Sequence, residues 1–258
     1  MTRYFEGPLP RVLAHRGLAT GAPENTMLAV ASAVAAGATH VETDVHATLD
    51  GVAVVSHDPD LGRVAGDARR LALLTLEQVR EVRLPEEQTV PTLEELLDAF
   101  PETRFNVDVK ADAAVRPTAE AVRRAGALDR VLVTSFSERR RHAVTALLPG
   151  VATSASARGV AAALLACAVP VPALRRAALR TATRGLGALQ VPETHGRLRI
   201  VTRRRVAALT EVGVETHVWT VDDPAVMRRL VGLGVAGIVT DRADLALAAF
   251  PRGPAEGL

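Results

Sequence analysis

Val41-Glu42-Thr43-Asp44-Val45-His46 alternates apolar or small residues with ionisable ones at a period of two, the pattern of a β-strand. Val41, Thr43 and Val45 point to one side, and Glu42, Asp44 and His46 to the other. Two carboxylates two residues apart on one strand face repel each other unless something cationic lies between them. Hard divalent cations prefer such oxygen ligands. A solvated strand face is the competing reading, and the flanking segments decide between the two.

Upstream, Arg11-Val12-Leu13-Ala14 reads as a short buried strand running into His15-Arg16-Gly17. A loop follows to Glu24, Asn25 or Thr26 caps a helix over 26–36, and Gly37 ends it. Downstream, Asp50-Gly51 is a hairpin turn signal. Residues 52–55 therefore fold back antiparallel and deliver His57-Asp58 to the end of the strand that carries His46. Residues 58–91 read as a small insertion with a short helix near 76–83, and Thr92 caps a helix over 93–100. Arg104 to Lys110 is the next strand, and Gly126 closes the helix after it. Further strands are expected at 131–134, 150–154, 187–191, 214–219 and 236–240. Helices are expected at 137–147, 157–184 in pieces, 202–212, 222–233 and 243–249, with a loose tail over 251–258.

Eight strand–helix units in 258 residues imply an α/β fold with a parallel sheet closed as a (β/α)8 TIM barrel. The chain reads as a single domain over 1–258, with the insertion placed after the hairpin of the second strand. An open doubly wound sheet would need a glycine-rich phosphate turn after the first strand, and Gly17-Leu18-Ala19-Thr20-Gly21 fits that poorly.

The formal charge of +2 and the scattered arginines argue against a nucleic-acid partner. With aromatics at 3%, the core must be built of Ala, Val and Leu. The single cysteine, Cys167, rules out an intrachain disulfide and points to a reducing compartment. Met1 to Pro10 lacks the apolar core of a signal peptide. The expected localisation is cytoplasmic. Of 31 basic residues only Lys110 is lysine, which marks it for a task suited to a compact, rotatable point charge. Gly159 to Leu174 carries no charge and is broken by Pro170 and Pro172. It reads as a helix packed on the barrel, or as an apolar lip beside the site that touches acyl chains or a membrane surface.

In such a barrel the active site lies at the C-terminal strand ends. Those ends present His15 and Arg16, then Glu42, Asp44 and His46, then His57 from the hairpin. Asn106, Asp108 and Lys110 share one face of the third strand, and Trp219-Thr220 and Thr240-Asp241 end the last two. Glu42, Asp44 and Asp108 come from adjacent strands, so one divalent cation could bind all three. An all-oxygen cage without cysteine suits Mg²⁺ or Ca²⁺ better than zinc. Metal, Arg16 and Lys110 around one point suit a phosphoryl group, whose charge builds on its oxygens. Two histidines supply a base for the nucleophile and an acid for the leaving alkoxide.

Several segments together resemble the glycerophosphodiester phosphodiesterases of the phospholipase-C-like barrels. They are Ala14-His15-Arg16-Gly17, Pro23-Glu24-Asn25-Thr26, Val41 to Val45, Asp50-Gly51, Val54 to Asp58 and Asn106 to Lys110, followed by Ser135-Phe136, Leu189 to Pro192, His217 to Val221 and Gly237 to Asp241. They stand in family order across nearly the whole chain. The resemblance implies hydrolysis of a small-molecule glycerophosphodiester to sn-glycerol 3-phosphate and an alcohol. It implies His15 and His57 as the general acid–base pair, and Glu42, Asp44 and Asp108 as ligands of one Mg²⁺ or Ca²⁺. Arg16 and Lys110 would bind phosphate, Trp219 would line the pocket, and Glu24 would brace the first catalytic loop. Asp108 stands where the family usually has glutamate, Asp222 where asparagine is common and Ala243 where proline is common; the last two are expected to do no chemistry. The rival readings are a lysophospholipase D or phospholipase-C-like enzyme on lipids, a Schiff-base enzyme using Lys110, and a barrel that binds phosphodiesters without catalysis.

Overall fold

The computed structural model describes residues 2–251. Its strands are short, and those that pair in parallel are largely buried on both faces, as parallel strands covered by helices must be. They are β1 (Arg11–His15), β2 (His40–Ala47), β3 (Ala53–Val55), β4 (Asp60–Leu61), β5 (Asp67–Arg70), β6 (Arg104–Val109), β7 (Val131–Thr134), β8 (Ala152–Thr153), β9 (Ala188–Val191), β10 (Thr194–His195), β11 (Leu198–Arg199), β12 (Glu215–Val218) and β13 (Gly237–Thr240).

Eight of these pair in parallel in the order β8-β7-β6-β2-β1-β13-β12-β9. The two ends of that order meet at a parallel bridge between Ser154 and Ala188, which makes a nearly closed barrel. The β8 joint is thinner than the strand expected over 150–154. Only Ala152 and Thr153 keep ladder geometry there, before Ser154 and Ala155 turn across to Ala188.

Helices fill the crossovers: α1 (Met27–Ala35), α2 (Gly62–Ala65), α3 (Leu76–Glu81), α4 (Leu93–Ala99), α5 (Val115–Arg124), α6 (Glu138–Leu147), α7 (Ala157–Ala168), α8 (Pro172–Ala182), α9 (Arg203–Thr210), α10 (Pro224–Gly232) and α11 (Ala243–Ala249). Their starts follow capping chemistry. Thr26 accepts from Ala29 N, and Thr92 with Glu95 forms a full capping box. The core between helices and strands is dominated by Val, Leu and Ala, with Phe105 the one aromatic residue buried in the main cluster.

β3 returns antiparallel to the extended end of β2, with Val45 opposite Val55. The segment after it holds β4, β5, α2 and α3 and packs its own apolar cluster of Leu61, Leu71, Leu74, Val79, Val82, Leu84 and Val90 on Val54. The sequence reading anticipated α3 there but not the two-stranded β4–β5 piece. The expected tail lies, beyond Pro251, outside the described residues.

The N-terminal end of the barrel is plugged by polar side chains. Arg11 forms two bonds to Glu215, at 2.9 and 2.8 Å, and His217 Nε2 lies 2.9 Å from the same carboxylate. Gly237 leaves room for that imidazole, since a Cβ there would come within 2.6 Å of its ring. These groups stand at the end of the barrel opposite the loops that carry catalysis in such folds.

Candidate active site

At the C-terminal end a cavity of about 650 Å³ is lined by His15, Arg16, Glu42, Asp44, His57 and Lys110 on one side. Phe136, Val160, Leu164, Leu198, Ile200 and Trp219 line the other. Eight of the nine residues singled out from the sequence as the site line it, Asp108 and Trp219 among them; only Glu24 does not.

The first turn is set by backbone geometry. Arg16 adopts φ 57°, and Gly17 φ 86°. A Cβ on Gly17 would stand 2.6 Å from the backbone of Ala29, so only glycine lets the turn pass over α1. Arg16 N donates to Glu42 O at 2.9 Å, and Asn25 N donates to Arg16 O at 2.9 Å. Asn25 also donates from Nδ2 to Asp44 at 3.2 Å and accepts from Thr43 at 2.9 Å. The His-Arg-Gly turn and the Glu-x-Asp strand are thus stitched together.

Each histidine rests on a carboxylate. His15 Nδ1 lies 2.7 Å from Asp241 Oδ1, and His57 Nδ1 lies 2.8 Å from Asp58 Oδ1. Such a partner on Nδ1 sets the tautomer and leaves Nε2 for substrate. Burial alone would lower the His15 pKa; the bond to Asp241 and the negative charge of Glu42 outweigh it and raise it. Asp241 is itself placed by Asp222, which accepts from Asp241 N and Thr240 Oγ1, both at 2.9 Å. Asp222 thus braces the carboxylate that holds His15, a contact its place in the sequence did not announce. His46 points its Nε2 at His57 O, 3.2 Å away, and supports that loop.

Two of the three carboxylates close on one ammonium. Lys110 Nζ lies 2.8 Å from Asp44 and 2.7 Å from Asp108. Burial acts to raise Asp44, but Lys110 and Arg16 more than reverse it and hold the carboxyl below its ordinary value. Burial raises Asp108. Glu42 is pushed up to about 8 by burial and by the charges of Asp44 and Asp108.

Among the described residues no three His, Cys, Asp or Glu side chains form a ready-made metal cage. The electrostatics nevertheless fit a cation. Glu42 Oε2 and Asp108 Oδ1 are buried without a hydrogen-bond partner, and the donor set is entirely oxygen.

Glu24 does not line the cavity; it braces Arg16 by a bond of 2.9 Å. The same carboxylate takes Arg63 Nη2 at 2.6 Å, and Arg63 Nε reaches Asp58 at 2.6 Å. Arg63, from α2 in the segment after the hairpin, therefore ties the support of Arg16 to the support of His57. The sequence reading missed it because nothing in Gly62-Arg63-Val64 distinguishes this arginine from the twenty-nine others. Arg63→Met is expected to lower kcat/KM by about tenfold, as losses of supporting contacts do. The melting temperature should barely move, because half-exposed ion pairs contribute little. Arg63→Lys should recover part of the loss. Steady-state kinetics beside thermal melts check this, and wild-type kinetics in Arg63→Met would remove the link.

The matches to known proteins span the stretch of chain that carries these residues. The family model described as "Glycerophosphoryl diester phosphodiesterase family" matches residues 15–245. A probable glycerophosphodiester phosphodiesterase 2 of Mycobacterium tuberculosis is 41% identical over 234 residues, covering 90% of this chain and 88% of that one. A glycerophosphodiester phosphodiesterase of Caldanaerobacter subterraneus is 27% identical, over 89% of this chain and 93% of its own. A solved Oleispira antarctica phosphodiesterase, in complex with the product sn-glycerol-3-phosphate, shares the fold with a TM-score of 0.77 at 20% identity, over 95% of this chain and 98% of that chain. This chain belongs to the glycerophosphoryl diester phosphodiesterase family.

Proposed function

We propose that the protein hydrolyses glycerophosphodiesters to sn-glycerol 3-phosphate and an alcohol, with the whole chain serving as one catalytic domain. The observation that carries this reading is the pair of imidazoles, each held through Nδ1 by a carboxylate, on the rim of one cavity with Arg16 and Lys110. Phosphodiester cleavage needs a base for the attacking oxygen and an acid for the leaving one. One histidine accepts the proton of the glycerol 2-hydroxyl or of water at Nε2. The other donates a proton from Nε2 to the departing alkoxide.

Arg16 and Lys110 bind the phosphate oxygens and orient the diester between the two imidazoles. Glu42, Asp44 and Asp108 would hold one divalent cation, Mg²⁺ or Ca²⁺. When bound it supplies Lewis-acid stabilisation of the phosphoryl charge. Trp219 and Phe136, edge to face with ring centroids 6.0 Å apart, shield the diester from water on the far side. The lone, buried Cys167 supports a reducing compartment, and we place the protein in the cytoplasm.

The test is release of glycerol 3-phosphate from glycerophosphocholine and glycerophosphoethanolamine with Mg²⁺, with Ca²⁺ and with EDTA. Metal-dependent release is the expected result; none under any condition, from folded protein, overturns the reading. The apolar wall of Val160, Leu164, Leu198 and Ile200 favours a second reading, a lysophospholipase D that seats an acyl chain there. Faster turnover of lysophosphatidylcholine than of glycerophosphocholine would select it.

A further inference from the structure

The chain holds 29 acidic residues, yet none falls between Glu138 and Glu193, a stretch with eight arginines. That stretch contains α7 and α8, which pack together as a helical hairpin beside the cavity. One side of α7 belongs to the cavity through Ala157, Val160, Ala161 and Leu164. Leu165 lies one turn beyond Ala161 on the same face, 74% exposed. The bend and the start of α8 add Val171 and Leu174, 48% and 61% exposed. An uncovered apolar strip therefore runs from the cavity mouth to the tip of the hairpin.

Arginines flank it. Arg158 and Arg180 are exposed and Arg175 is half-buried, and of the hairpin's arginines Arg176 reaches a carboxylate, Glu211 at 3.7 Å. Exposed leucines on a hairpin that carries arginines and no acidic residue of its own complement a surface that is apolar below and anionic above. No helix among the described residues is long and apolar enough to cross a membrane, so contact of this kind would be peripheral.

We propose that the α7–α8 hairpin docks the protein on a lipid bilayer carrying anionic headgroups, with the tip leucines inserted and the cavity mouth held at the interface. The docking goes beyond the hydrolytic activity and does not rest on it.

The test is co-sedimentation of the full chain with vesicles of phosphatidylcholine plus phosphatidylglycerol, and of phosphatidylcholine alone. Two double variants accompany it: Leu165→Ser with Leu174→Ser, and Arg175→Gln with Arg180→Gln. The wild type should bind the anionic vesicles in preference, and each double variant should bind them about tenfold more weakly. Hydrolysis of soluble glycerophosphocholine should stay unchanged in both, since none of the four residues touches the cavity. Absence of wild-type binding overturns the proposal, as does wild-type binding by the leucine pair. Equally tight binding to duplex DNA, lost only in the arginine pair, would assign the patch to nucleic acid instead.

Discussion

His15→Gln and His57→Gln are each expected to lower kcat by about 10² to 10⁴-fold, the range general acid–base catalysis supplies. Both imidazoles border the cavity, and each is oriented by its own carboxylate rather than by packing alone. Glutamine keeps much of the volume but cannot shuttle a proton. Arg16, Lys110 and the carboxylates are left in place, so KM should change less than kcat. Circular dichroism and melting curves should match the wild type. Asp241→Asn should show a smaller kcat loss, because His15 remains but loses the partner that fixes its tautomer. Wild-type turnover in either histidine variant would take that residue out of the mechanism.

The second large effect concerns Glu42 and is read from stability as well as activity. Its carboxyl is pushed up to about 8 in the folded, metal-free chain, against an ordinary value near 4.5. A group whose pKa is raised on folding stabilises the fold below its unfolded pKa, and this contribution disappears as pH climbs through the folded pKa. In EDTA the melting temperature should therefore fall between about pH 5 and pH 8, and Glu42→Gln should flatten that slope. A bound divalent ion favours the charged form, so Mg²⁺ or Ca²⁺ should raise the wild-type melting temperature above neutral pH. Glu42→Gln should gain little from either ion and should lose activity. Equal slopes for the two proteins in EDTA, with no shift on adding metal, would remove Glu42 from any cation site.

Most of the barrel was legible because each unit signals locally. The period-two runs of β2 and β6, the Asp50-Gly51 turn, the threonine caps at 26 and 92 and the glycines that follow helices depend on neighbours a few residues away. β8 was overextended because the pairing partners that limit a strand are remote in sequence. The β10–β11 hairpin, whose His195 and Leu198 border the cavity, went unread for a related reason: two-residue arms carry no period.

The site divides along the same line. Glu42, Asp44, Asp108 and Lys110 could be placed at strand ends from alternation, since a strand decides which side chains share a face, while His15 and Arg16 follow a short buried run and His57 a hairpin turn. What those groups lean on could not be placed. Asp241 stands 226 residues from His15, Arg63 stands 39 from Glu24, and Asp222 acts through the backbone of Asp241. The sequence by itself determined the element order, the parallel barrel and the residue types gathered at one end, because these follow from local periodicity and chain direction. Only the tertiary structure decided that Lys110 sits between Asp44 and Asp108, that each histidine has its own carboxylate and that an apolar wall faces the charged one. Those are contacts between chain-distant groups, set by how the closed barrel packs and carrying no local signature.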